Sequence, residues 1–170
     1  MTVKVLGALL ILIGTGGVGY ALNANDRRQE QAMVELQRCL QWMIWELRYK
    51  MPPLAELCRD AAKYCKGSVG QVLRNFSDEL QQQLQPDPAI CMQAAISMTK
   101  MLPVQATVRL KELGVTLGQF DLQSQIASLE ASEALCRHDL EQMRTGREVR
   151  KRNYQTLSLC AGAALVILLF

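Results

Sequence analysis

Apolar residues recur at helical spacing along almost the whole chain, and at both ends the polar face disappears. Val5–Leu22 is 18 residues without a charge, and Tyr154–Phe170 is 17 more. A bilayer-spanning helix needs roughly 20 apolar residues. Both ends therefore predict transmembrane helices, at residues 1–22 and 154–170. The second corresponds to about 25 Å of helix against a hydrocarbon core near 30 Å, enough if it stands upright. Residues 23–153 predict an all-α domain, a bundle of about six helices.

The first of these helices runs from Asn23 to Met51. Met33, Leu36, Leu40, Met43, Leu47 and Met51 recur at spacings of three and four, with Ile44 on the same face. Trp42, Trp45 and Tyr49 fall together on the opposite side, near Val34. A helix apolar on two sides is either central in a bundle or turns one face to a partner. The central position is the simpler reading.

Prolines and glycines divide the rest. Pro52-Pro53 ends the first helix, because proline lacks an N–H and forces its predecessor out of the α region. Pro53 is expected as the first residue of the next helix. That helix carries Leu54, Leu57, Cys58, Ala61, Ala62 and Cys65. Gly67 is expected as its left-handed terminus, with Ser68 capping a third helix through Val69, Val72, Leu73, Phe76, Leu80 and Leu84. Gln85-Pro86-Asp87-Pro88 is a boundary. Asp87 suits an N-cap and Pro88 the first turn of a helix with Ile90, Ala94 and Met98 as its stripe. After Pro103 comes a helix with Leu110, Leu113 and Leu117 on one side. Gly118 suits a left-handed end and Asp121 the cap of the last helix. Along that helix Ile126, Leu129, Cys136, Leu140 and Met143 form a stripe, with Glu133 at the same register but polar. No proline, and no glycine but Gly146, interrupts Leu122–Cys160, so this helix is expected to continue into the apolar tail.

Charge fixes an orientation. Between Asp26 and Met143 there are 13 basic and 15 acidic residues, whereas Arg144, Arg147, Arg150, Lys151 and Arg152 stand against Glu148 alone. A basic collar beside an apolar run puts the collar, and the domain, on the cytoplasmic side of a cell membrane. It also attracts anionic lipid by about 1 kcal/mol per charge. No stripe of Lys/Arg interleaved with aromatics suggests nucleic acid.

Little in the sequence suggests catalysis. Gly14-Thr15-Gly16-Gly17-Val18-Gly19 matches GxGxxG, but a dinucleotide fingerprint needs a βαβ unit around it, and the next hundred residues are helical in pattern. The glycines read better as a packing face in a membrane helix, with Thr15/Gly19 and Gly17/Ala21 as small-xxx-small pairs. A cleaved signal peptide is a further alternative. The six cysteines show no CxxC spacing and read as reduced, buried thiols. His138 is the one histidine and sits on a charged helix face. Glu79, Glu112, Glu130, Glu133 and Glu141 read as solvated. No catalytic residue, metal site or cofactor is expected. A membrane-anchored dinucleotide enzyme or a helical sensor subunit would be the alternatives to a scaffold.

The turn Leu113-Gly114-Val115-Thr116-Leu117-Gly118-Gln119-Phe120-Asp121-Leu122-Gln123-Ser124-Gln125 resembles a late motif, of the type LGxxLGxxDxxSQ, of the stage III sporulation protein AB family of endospore-forming bacteria. Gln119 stands where that family usually has a basic residue. The layout of two apolar ends around a short helical domain is also similar. The resemblance implies a domain like the cytoplasmic repeat of type II secretion F proteins. It implies a place in the channel-like complex between mother cell and forespore, on the mother-cell face of the outer forespore membrane. Its expected partners are an ATPase of the stage III sporulation protein AA type, other membrane components of the complex, the bilayer and further copies of the chain. On this reading the contact residues are Trp42, Trp45 and Tyr49 on the first helix and Gly114, Gly118, Asp121 and Gln125 at the turn.

Overall fold

The computed structural model describes residues 2–82, 87–118 and 121–169, with side chains for 25–82, 87–118 and 121–146. Leu84, Gln85, Pro86, Gln119 and Phe120 lie outside the described residues. So do the side chains of Arg147, Arg150, Lys151 and Arg152 and of both expected membrane spans. Six helices are described: α1 (Thr2–Lys50), α2 (Leu54–Tyr64), α3 (Gly67–Gln82), α4 (Pro88–Met98), α5 (Val104–Thr116) and α6 (Leu122–Leu169). No strand occurs among the described residues. Among the residues with described side chains no helix is long and apolar enough to cross a membrane, and both expected spans lie outside those residues.

α1 and α6 are continuous across the boundaries expected at residues 22/23 and 153/154. Gly14–Gly19 therefore lies within a helix, not at the strand-to-helix turn that a dinucleotide fingerprint requires. α1 packs on α2, α3, α5 and α6, which makes it the central helix. Its stripe of Met33, Leu36, Leu40, Met43 and Leu47 is buried, and Val34, Trp42 and Ile44 pack half-buried against the same core. That explains why it is apolar on more than one side.

α1 ends where expected. Met51 takes a left-handed φ of 48° ahead of the two prolines. Pro53 sits one position earlier than expected, as the cap of α2, where its carbonyl accepts the Leu57 N–H at 2.9 Å. The α2–α3 joint differs more. Cys65, in extended conformation, closes α2, and Gly67 (φ 70°) begins α3, so Ser68 is a helical residue and not a cap. The joint is also held from a third helix: the Glu35 carboxylate of α1 accepts the Lys66 N–H at 3.1 Å. Asp87 caps α4 as expected, accepting the Ala89 N–H at 2.9 Å. α4 itself buries Cys91, Met92 and Ala95, and leaves Ile90 and Met98 exposed. Only Gln93 and Ser97 mark its outer side, the side that carries Ile90, and the apolar stripe expected through Ile90 did not follow them.

Ser77 of α3 donates to the Ala55 carbonyl of α2 at 2.7 Å. Arg109 of α5 holds Asp139 of α6 through two hydrogen bonds of 2.7 and 3.0 Å. α1 and α6 run antiparallel. Glu30 lies opposite Arg144 at 3.3 Å, Gln37 and Gln41 donate to Glu133 at 2.7 and 3.0 Å, and Arg48 pairs with Glu130. Glu133, read above as solvated, is buried in this contact. The two glutamines replace the water it gives up, as a buried carboxylate requires. Among the described residues no buried side-chain nitrogen or oxygen lacks a hydrogen-bond partner.

Candidate interaction site

Two regions gather the residues singled out in the sequence. The first is the outward side of α1. Trp42 is half-buried and stacks on Tyr64 of α2, with ring centroids 4.8 Å apart and planes at 27°. Trp45 and Tyr49 follow one and two turns on, their rings 4.9 Å apart and tilted. Trp45 is 54% exposed, Tyr49 70% and Tyr64 64%. Such offset ring contacts contribute roughly 0.5–1.5 kcal/mol each beyond area burial. Tyr64 was not among the expected site residues. Its signal was the antiparallel pairing of α1 and α2 through Pro52-Pro53, which brings the end of α2 back to the level of Trp42.

The second region is the glycine turn, where a Cβ on either glycine would meet a neighbouring helix although Gly118 itself is exposed. Gly114 is buried where α5 crosses α4: a Cβ there would stand 2.5 Å from the Met92 Cβ and 2.8 Å from its Cγ. Gly118 has φ 82°, and a Cβ would stand 3.1 Å from Pro88 and 3.2 Å from Leu54. The Leu-Gly pairs thus lock α5 onto the starts of α4 and α2. Leu113 and Leu117 are buried beside them, and the Leu117 N–H closes α5 on the Leu113 carbonyl at 3.0 Å. Asp121 is exposed. Its backbone carbonyl accepts the Gln125 N–H at 2.9 Å, as an N-cap carbonyl does. Among the described residues its carboxylate accepts no hydrogen bond, so the expected side-chain cap is not made. Gln125 is half-buried.

The described helices form the all-α bundle that the sequence predicted, and comparison with known proteins gives a family. The profile of the family described as Stage III sporulation protein AB matches residues 4–170. The chain belongs to that family. A solved structure of "Stage III sporulation protein AB (SpoIIIAB)" is similar in fold, with a TM-score of 0.59 at 18% identity. The match covers 72% of this chain and 98% of that one. No curated protein matches the chain. The Leu-Gly turn used by the resemblance is thereby explained as packing geometry.

Chemistry elsewhere is muted. The side chains of Cys39, Cys58, Cys65, Cys91 and Cys136 are buried. Burial pushes the Cys58 and Cys136 thiols up to about 12, and a hydrogen bond with Cys65 together with burial holds Cys39 well above the ordinary thiol range. A protonated thiol is a poor nucleophile and metal ligand. Among the described residues no group of His, Cys, Asp and Glu side chains could hold a metal ion. His138 is exposed beside Gln142, its Nε2 lying 2.9 Å from the amide nitrogen.

Proposed function

We propose that this sporulation protein is a non-enzymatic platform subunit of a secretion-like complex between mother cell and forespore. It is held in the cell membrane by residues 1–22 and 154–170, with residues 23–153 on the cytoplasmic side in the manner of a type II secretion F-like domain. The antiparallel pairing of α1 and α6 carries this reading. The Glu30–Arg144 pair marks one end of the bundle, so the chain leaves toward both apolar segments from the same side. Trp45 lies about 23 Å further along α1, away from that end. A protein built this way turns an exposed aromatic face toward the cytoplasm, where it docks an ATPase of the stage III sporulation protein AA type. The basic residues Arg144, Arg147, Arg150, Lys151 and Arg152 sit at the joint with the bilayer and favour the cytoplasmic orientation.

Among the described residues the native thiols are buried, so topology is tested with an introduced one. Lys100→Cys, at an exposed turn, is expected to resist an impermeant maleimide in intact cells and to react after lysis. Labelling before lysis refutes the orientation. In a pull-down with the ATPase, Trp45→Ala and Asp121→Ala should capture less while remaining folded. Capture equal to wild type by both variants rejects these surfaces.

A further inference from the structure

The aromatic face has an electrostatic sense. In the ion pairs beside it the carboxylate turns inward and the cation outward. Lys50 is 66% exposed and its partner Glu46 8%; Arg38 is 72% exposed and Glu35 20%. Lys63 is likewise more exposed than Asp60. The Lys66 side chain is exposed, while its backbone N–H is held by Glu35. What this surface offers a partner is rings and positive charge, with the compensating acids half withdrawn. From the level of Glu35 and Lys66 to Tyr49 it extends about 21 Å along α1, some four helical turns.

We propose that the face formed by Trp45, Tyr49 and Tyr64, rimmed by Arg38, Lys63 and Lys66, receives an acidic amphipathic helix of a cytoplasmic protein. Apolar side chains of that helix would pack on the rings, and carboxylates on either flank would meet the cations. Aromatic anchors inside a charged rim are the arrangement that concentrates binding energy and selects partners by sign. The proposal deepens the docking reading above and rests on it for the partner being a protein on the cytoplasmic side.

Both tryptophans of the chain lie here, so intrinsic fluorescence reports on this surface alone. The full chain is reconstituted in nanodiscs of neutral lipid and titrated with a model helix of about four turns, leucine on one face and glutamate on the other. A copy with lysine for glutamate is the control. The glutamate helix is expected to shift tryptophan emission to the blue and to shield it from acrylamide, more weakly as salt rises. The double variant Arg38→Glu/Lys66→Glu should bind it at least about tenfold more weakly, and Tyr49→Ala should also lose affinity. Equal binding of both helices overturns the proposal, as does unchanged affinity in both variants. So does a shift produced by phosphatidylglycerol vesicles or oligodeoxythymidylate and not by the glutamate helix. A normal response to the helix combined with ATPase capture indifferent to Trp45 would instead reject the ATPase reading alone.

Discussion

Replacing Gly114 by alanine adds one methyl group at the α4–α5 crossing, and its cost can be worked out from the contact it meets. The new Cβ would stand 2.5 Å from the Met92 Cβ and 3.6 Å from the Ala89 Cα. A Cβ cannot swing away as a side-chain end can, so the helices must separate by about 1 Å to reach ordinary van der Waals contact. Overpacking of this kind costs about 1–3 kcal/mol. Against it stands the gain of about 1 kcal/mol for alanine over glycine inside a helix. The net expectation is a loss of up to about 2 kcal/mol, or several degrees in Tm for a chain of this size. Gly146, in α6 with no atom of the described residues within 4 Å of its Cβ position, is the internal control. There the propensity term acts alone, and Gly146→Ala should stabilise by about 0.5–1 kcal/mol. Urea unfolding of the purified chain, followed by tryptophan fluorescence, measures both. A second test adds Met92→Gly, which removes the opposing Cβ. In the double variant the two changes should cost less than their sum. Stabilisation by Gly114→Ala equal to that by Gly146→Ala would refute the close crossing.

Three further outcomes follow from contacts described above. Asp87→Ala removes the cap of α4 and should cost about 0.5–2 kcal/mol in the same unfolding assay, with Asp87→Ser restoring most of it. Arg109→Ala strands the Asp139 carboxylate, whose side chain is mostly buried, and should cost about 1–3 kcal/mol. Arg109→Met combined with Asp139→Leu should recover much of that loss, because no buried charge is then left unpaired and Glu112, the other partner of Arg109, is exposed to water. Burial raises the Cys58 thiol from 9.0 to about 12, so the folded state keeps a proton that the unfolded chain has released. Stability is then unaffected by this group below pH 9 and falls between pH 9 and about 12, by about 1.4 kcal/mol per pH unit. Cys58→Ala should flatten the alkaline slope by that amount, and an unchanged slope would show that the thiol is solvated.

Much of the fold was legible because it rests on local signals. The stripe of α1, the caps at Asp87 and Gly118, the proline stops and the run of α6 each depend on residues within a turn or two of one another. Where the reading failed, the deciding atom came from elsewhere in the chain. Ser68 has a cap's chemistry, yet α3 begins at Gly67, in a joint held by Glu35, more than thirty residues earlier, through the Lys66 N–H. α4 has only Gln93 and Ser97 to mark its outer side, and it is against α3 and α5 that Cys91, Met92 and Ala95 are buried while Ile90 and Met98 stay exposed. Pattern alone gives a helix its length and its ends. It gives the buried face only when polar residues mark the other one.

The same distinction separates the two candidate surfaces. Glycines in a turn and aromatics on a helix both looked like places for a partner, and only burial tells them apart. Gly114 is consumed by the fold, since its missing side chain is what admits Met92. Trp45 and Tyr49 keep most of their ring surface in water even though α1 is the central helix of the bundle. Glutamates divide in the same way. Glu133 was placed by sequence among solvated acids, because neighbouring basic residues on its own helix could account for it. It is Gln37 and Gln41, on a helix almost a hundred residues away, that hold it inside. A polar contact of this sort fixes the register of α1 against α6 in a way that leucines, which tolerate sliding by a turn, do not. In the platform reading, α1 and α6 also lead to the two apolar ends. A load applied at the aromatic face would then pass into the membrane through a helix pair held at one register.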